Sequence, residues 1–124
     1  MRDPLLLLAG ALGATAVALG AFGAHALSAR LGPALSTWQT GVQYHLFHSV
    51  ALLGICALAA AGFGPRELRW AGWLMVLGVT LFSGSLYLLA LGGPRWLGPV
   101  TPLGGLAFVL AWSLVAVAAW RQGS

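Results

Sequence analysis

Four stretches of this chain carry no charged side chain, and each is long enough to cross a bilayer: Leu5–Leu27, Val42–Phe63, Trp70–Leu91 and Val100–Trp120, of 23, 22, 22 and 21 residues. At a rise of about 1.5 Å per residue, about 20 residues cross a hydrocarbon core about 30 Å thick. Inside that core every backbone N–H and C=O must be satisfied by the protein itself, so only helices and closed barrels can cross. The runs are continuous and rich in Ala and Leu, without the period of about two that barrel strands require. They predict an all-α membrane protein with four transmembrane helices. Composition agrees: 60% of residues are apolar and 6% charged, where a soluble domain carries about 25% charged residues. Residues 1–124 read as a single transmembrane domain, since the length allows at most about five crossings.

The net charge is +4, but the six arginines are scattered and form no basic stripe, so a nucleic-acid partner is not expected. The expected surroundings are the lipid bilayer. Cys56 is the single cysteine and can form no intramolecular disulfide.

The breaks between runs carry turn chemistry. Leu31-Gly32-Pro33 ends the first connection, and Ser36-Thr37-Trp38-Gln39 reads as a capping box opening the second helix. Gly62-Phe63-Gly64-Pro65 and Gly92-Gly93-Pro94 close the second and third helices, because glycine accepts a left-handed cap and proline cannot continue a helix. Short connections imply antiparallel neighbours and an up-down-up-down bundle. Arg2, Arg66, Arg69 and Arg121 then share one side, against Arg30 and Arg95 on the other. By the positive-inside rule both termini are expected in the cytoplasm. Trp70, Trp73 and Trp120 at one boundary, and Trp38 and Trp96 at the other, read as aromatic belts, with Trp112 deeper. Ala24-His25-Ala26 mimics a signal-peptidase site, but the preceding apolar run is longer than the 7–15 residues typical of a signal peptide, so a retained first helix is expected.

Four phrases follow one another along the chain: Leu19-Gly20-Ala21-Phe22-Gly23-Ala24-His25-Ala26-Leu27; Trp38-Gln39-Thr40-Gly41 with Tyr44 and His48; Leu81-Phe82-Ser83-Gly84-Ser85-Leu86-Tyr87; and Thr101-Pro102-Leu103-Gly104-Gly105. In this order and spacing they resemble the YgdD/YwdK-like family of small membrane proteins, a domain of unknown function with small transmembrane eukaryotic relatives. The resemblance covers nearly the whole chain. It implies four transmembrane helices in the bacterial cytoplasmic (inner) membrane and brings no established activity.

In an up-down-up-down arrangement, the polar residues of the spans gather toward one face of the membrane, the external one by the arginine count. His25 ends the first helix, Tyr44, His45 and His48 open the second span, Ser83, Ser85 and Tyr87 end the third, and Thr101 begins the fourth. His48 falls six residues into its span, roughly 9 Å, and Ser83 lies about 12 Å inside its own. Tyr44 and His48 are four apart and His45 and His48 three apart, which puts each pair on one helix face, with Gln43 and Phe47 on an adjoining stripe. Such groups are costly in hydrocarbon and face the bundle interior, where they bond other helices or mark a site. A histidine there could move a proton or ligate a metal. No acid accompanies the three histidines and no haem-attachment motif is present, so no metal or cofactor is expected. The two acids, Asp3 and Glu67, lie at the opposite membrane face, and no carboxylate pair, catalytic triad or phosphate loop can be assembled.

Small residues speak of packing. Ala16, Gly20 and Ala24 form one ladder, Gly10, Ala14 and Ala18 a second, and Thr80 with Gly84 another. Gly20, Gly23, Ala24, Gly84, Gly104 and Gly105 are the expected helix-packing positions, within the protein or in a homo-oligomer or larger membrane complex. The functional expectation is a non-catalytic accessory or binding module. Its outward-facing pocket of His25, Tyr44, His45, His48, Ser83, Ser85, Tyr87 and Thr101 would hold a lipid, a small apolar molecule or a partner helix. The alternative is a small oligomeric transporter or channel with His48 as a proton-linked gate.

Overall fold

The computed structural model describes residues 3–122. Arg2, one of the arginines used for orientation, lies outside them. Among the described residues there is no strand, and four helical segments are long and apolar enough to cross a membrane: Pro4–His25, Ser28–Ala60, Pro65–Ala90 and Arg95–Gln122, here spans 1 to 4. The chain is an all-α, four-span integral membrane protein.

Span 1 is a single helix, α1 (Pro4–His25). Asp3 caps it, its carboxylate accepting from the N–H groups of Leu5 (3.0 Å) and Leu6 (3.4 Å), while Pro4 occupies a position where a missing N–H costs nothing. Span 2 begins sooner than the charge-free run suggests. A helical turn, α2 (Ser28–Leu31), and a 3-10 turn at Gly32–Ala34 lead directly into α3 (Leu35–Ala60). The expected capping box does not form. Ser36 already lies inside the helix and donates to the Pro33 carbonyl at 3.3 Å, and no side chain caps α3. The preceding 3-10 turn supplies the carbonyl partners a cap would otherwise replace. His48 lies thirteen residues after Leu35, near the middle of α3 and roughly 20 Å from the start of that helix.

Span 3 is interrupted. α4 (Pro65–Gly78) passes into a π-turn at Val79–Ser83 and resumes as α5 (Gly84–Ala90). Span 4 comprises a 3-10 turn at Arg95–Leu97 and α6 (Val100–Gln122). The turns between spans use glycines at positive φ, Gly62 at 91°, Gly64 at 43° and Gly92 at 92°, a region side chains other than glycine rarely enter.

Successive spans run antiparallel. Leu5 packs near Leu52 and Cys56, Gly41 meets Tyr87, and Gly104 meets Phe82. Span 1 packs on span 2, span 2 on span 3 and span 3 on span 4, but spans 1 and 4 form no packed pair. The array is therefore a row with one side left open. The apolar core lies between spans 2, 3 and 4, around Ile55, Leu68, Ala71, Met75, Phe108 and Ala111.

Close approach depends on a subset of the expected small residues. A methyl group at Gly104 would overlap the Phe82 backbone, and one at Gly23 would meet the Trp38 indole. Gly20 lies against Val42. Gly78 makes room for the Phe108 ring in the same way, a position the ladders did not include. Three other expected packing positions make no close crossing within this chain. Gly84 has open space where its Cβ would be, Ala24 is exposed, and Gly105 makes only ordinary contact with Phe82 at 3.9 Å. Ala24 lies one helical step from the buried Gly23, and Gly84 lies between Ser83 and Ser85, which are buried against different neighbours. Gly10, Ala14 and Ala18 face outward. Trp38 also departs from the belt reading. It is only 3% exposed and donates from Nε1 to the Leu19 carbonyl at 3.0 Å, because Gly23 leaves space for the indole between spans. Trp70, Trp73, Trp96 and Trp120 remain exposed.

Overpacking at a tight crossing costs about 1–3 kcal/mol. Gly104→Ala should accordingly lower the thermal unfolding temperature in detergent, while Gly84→Ala leaves it unchanged. Equal melting of the two variants would contradict this packing.

Candidate functional site

The polar residues of the spans separate into two hydrogen-bonded networks and one open cleft. The first network ties spans 1, 2 and 3 through His45, which is 4% exposed. Its Nδ1 lies 2.8 Å from the Tyr87 hydroxyl and its Nε2 3.2 Å from the Thr15 hydroxyl. The Thr15 hydroxyl is also 3.0 Å from the carbonyls of Ala11 and Leu12, which can only accept. Thr15 thus donates to its own helix and accepts from His45 Nε2–H, which leaves Nδ1 to accept from Tyr87. Tyr87 also packs on Trp38, ring centroids 4.7 Å apart.

Ser83 and Ser85 diverge. Residues two apart on a helix project about 200° from each other, so the two hydroxyls serve different neighbours. Ser83 donates to the Gly41 carbonyl of span 2 at 2.7 Å, and Ser85 meets the Thr101 hydroxyl of span 4 at 2.5 Å. Every one of these groups is consumed in joining helices. His25, at the exposed end of α1, is not brought to the others. The eight residues expected to line one polar pocket therefore form no single pocket.

The remaining two, Tyr44 and His48, line a cleft of about 650 Å³ between spans 2 and 4, with Phe82 of span 3 at its floor. The lack of a packed face between spans 1 and 4 and of close backbone packing between spans 2 and 4 leaves this face open. His48 bridges it. Its Nδ1 lies 2.7 Å from the Tyr44 carbonyl, which accepts, so Nδ1 carries the proton. Its Nε2 accepts from the Trp112 indole N–H at 3.2 Å. The imidazole stacks on Phe108, centroids 3.6 Å apart and planes within 12°. Tyr44 in turn packs on Phe82 at 4.4 Å. Phe47, Gly105 and Val109 complete the walls. The cleft so built presents aromatic faces, with the Gln43 amide and the Tyr44 hydroxyl as polar groups that make no hydrogen bond among the described residues.

The three histidines do not converge. His45 and His48 each engage both ring nitrogens with protein partners, and His25 stands apart. Among the described residues no group of three His, Cys, Asp or Glu side chains is placed to hold a metal. Three participants escaped the sequence reading: Thr15, Phe108 and, as a partner of His48, Trp112. Thr15 had a signal, being the lone hydroxyl in α1. Trp112 had one too, as the tryptophan set apart from both belts.

A family model described as "Protein of unknown function (DUF423)" matches residues 19–105. The chain belongs to the DUF423 family. It is 48% identical over 105 residues to the UPF0382 membrane protein YwdK of Bacillus subtilis, covering 84% of this chain and 85% of that protein. With the UPF0382 inner membrane protein YgdD of Escherichia coli K12 it shares 44% identity over 118 residues, 94% of this chain and 89% of that one. A Staphylococcus haemolyticus member, the UPF0382 membrane protein SH2409, is 42% identical over 85% of each chain. No solved structure matches with significance. As a DUF423 member the chain is a multi-pass protein of the bacterial cytoplasmic membrane. The matched stretch holds both intramembrane histidines and Tyr87, whereas Thr15, Phe108 and Trp112 lie beyond it.

Interhelical hydrogen bonds in membrane proteins are worth about 0.6 kcal/mol on average and up to about 1.7 kcal/mol. Tyr87→Phe removes the donor to a buried imidazole and should cost an amount toward the upper end of that range, measured by equilibrium unfolding in mixed micelles. No loss would show that His45 finds another donor.

Proposed function

We propose that this protein is a non-catalytic binding module of the cytoplasmic membrane, with both termini in the cytoplasm and the cleft in the external half. Its occupant is a lipid or a small apolar molecule that reaches the cleft sideways from the bilayer. The observation that carries this reading is the pair Gln43 and Tyr44. Both side chains are exposed on the cleft wall with unused hydrogen-bonding groups, a costly arrangement in hydrocarbon unless an occupant meets them. His48 does not compete for that role, since its neighbours already satisfy it. A volume of about 650 Å³ lies within the range of small-molecule sites, about 300–1,000 Å³.

The placement of the two acids fits a binding role. Asp3 caps α1, and Glu67 pairs with Arg121 at 2.5 Å, both at the end of the array away from the cleft. Transport draws less support. The half of the array toward that end is closed by packed apolar side chains, among them Leu52, Leu68 and Met75, which offer no polar path.

Native mass spectrometry of the full chain from a mild detergent tests the proposal. Wild type should carry a reproducible extra mass. Gln43→Leu combined with Tyr44→Phe should weaken its retention about tenfold, since two hydrogen bonds at about 0.5–1.5 kcal/mol each are lost. Both side chains are exposed, so the melting temperature should stay unchanged. A bare wild-type polypeptide, or equal retention by the double variant, would overturn the reading.

A further inference from the structure

At the opposite end of the array, α4 carries a stripe that the cleft does not use. Arg66, Arg69, Trp70 and Trp73 stand at helical spacings of three and four, hence on one face, and together line a hollow of about 260 Å³. The face beneath them, Leu68, Ala71, Gly72 and Met75, is buried in the protein, so the stripe looks outward. Trp70 is 64% exposed and Trp73 41%.

The two guanidiniums are left without a protein anion. Of the acids nearby, Glu67 is taken by Arg121 of span 4. Asp3, which lines a neighbouring hollow with both arginines, accepts instead from the N–H groups of Leu5 and Leu6. Among the described residues neither guanidinium enters an ion pair or donates a hydrogen bond. A pair of adjacent, fixed-charge, planar donors suits a phosphate, which they can grip in bidentate fashion.

The order along the helix selects the kind of phosphate. From the start of α4 inward the stripe reads arginine, arginine, tryptophan, tryptophan and then Leu77, 46% exposed. Arg66 and Trp73 are about 10 Å apart along the axis. That is the sequence of layers in a phospholipid, with the phosphate outermost, the glycerol and ester zone next, where indoles prefer to sit, and the acyl chain innermost. We infer that Arg66, Arg69, Trp70 and Trp73 form a binding site for the headgroup of an anionic phospholipid, with the phosphate between the two guanidiniums and the glycerol region against the indoles.

The test is native mass spectrometry of the full chain in detergent with equimolar dioleoyl-phosphatidylglycerol and dioleoyl-phosphatidylcholine, and separately with inorganic phosphate. Wild type should retain phosphatidylglycerol selectively. The double variant R66Q/R69Q should lose that preference, by about thirtyfold if each arginine contributes the usual increment for a basic residue at an anionic surface. W70A/W73A should weaken retention of both lipids. All four side chains are exposed, and a melting curve matching wild type would confirm that the variants fold. Equal retention of the two lipids by wild type, or an undiminished preference in R66Q/R69Q, would overturn the site. Binding of inorganic phosphate as tight as that of phosphatidylglycerol, indifferent to W70A/W73A, would make it an oxyanion site and overturn the lipid assignment.

Discussion

Hydrocarbon offers no hydrogen bonds, and the interior of this protein is arranged around that constraint. Each buried polar side chain inside the spans has a partner on another helix or on its own backbone: His45 with Tyr87 and Thr15, Ser83 with the Gly41 carbonyl, Ser85 with Thr101, His48 with Trp112 and the Tyr44 carbonyl. No buried side-chain N or O among the described residues lacks one. Because lipid tails are as apolar as leucine, burial alone cannot hold such helices together, and these bonds and the close crossings at glycine set which spans are neighbours. The His45 network ties the first three spans. The Ser85–Thr101 contact and the Gly104 and Gly78 crossings tie the third to the fourth.

The cleft follows from what these links do not join. Spans 1 and 4 share no packed face, and at the level of the cleft span 4 meets span 2 through the aromatic group around His48. An imidazole stacked on Phe108 and bonded to Trp112 acts as a spacer that holds two helices together at a distance. That spacing makes a hollow where closer packing would have left none. The π-turn at Val79–Ser83 lies at the same level and puts the Phe82 backbone against Gly104 with its ring at the cleft floor. Such widened turns occur often at functional sites.

The four spans were legible in the sequence because their signal, absence of charge over a fixed length, depends on the bilayer alone and not on tertiary contacts. Turn glycines were legible for the same local reason. The start of the second helix was legible within a residue, Ser36 against the observed Leu35, but the helical turns leading into it were not, since the residues from Ser28 to Ala34 mix polar and apolar types. His48 lies near the middle of α3, where its partner Trp112 comes from the far end of the chain. The eight polar candidates were found on the right elements, but the division into bonded networks and an open cleft depends on azimuth. Ser83 and Ser85, two residues apart, were read together and face opposite neighbours. Gly84 and Ala24 make no crossing within this chain, while Gly78 makes one that no ladder marks, because its partner, the Phe108 ring, comes from a distant part of the chain.

The bridge at His48 is the contact on which the cleft depends, and nitrogen-15 solid-state NMR of histidine-labelled full chain in bilayers at neutral pH reads it directly. The expected result is a neutral His48 protonated at Nδ1, with its bare Nε2 correlated to the Trp112 indole N–H, alongside a neutral His45 protonated at Nε2. A His48 protonated at Nε2, or at both nitrogens, would contradict it, because neither form can accept from Trp112 and the hydrogen-bonded bridge between the second and fourth spans would not exist.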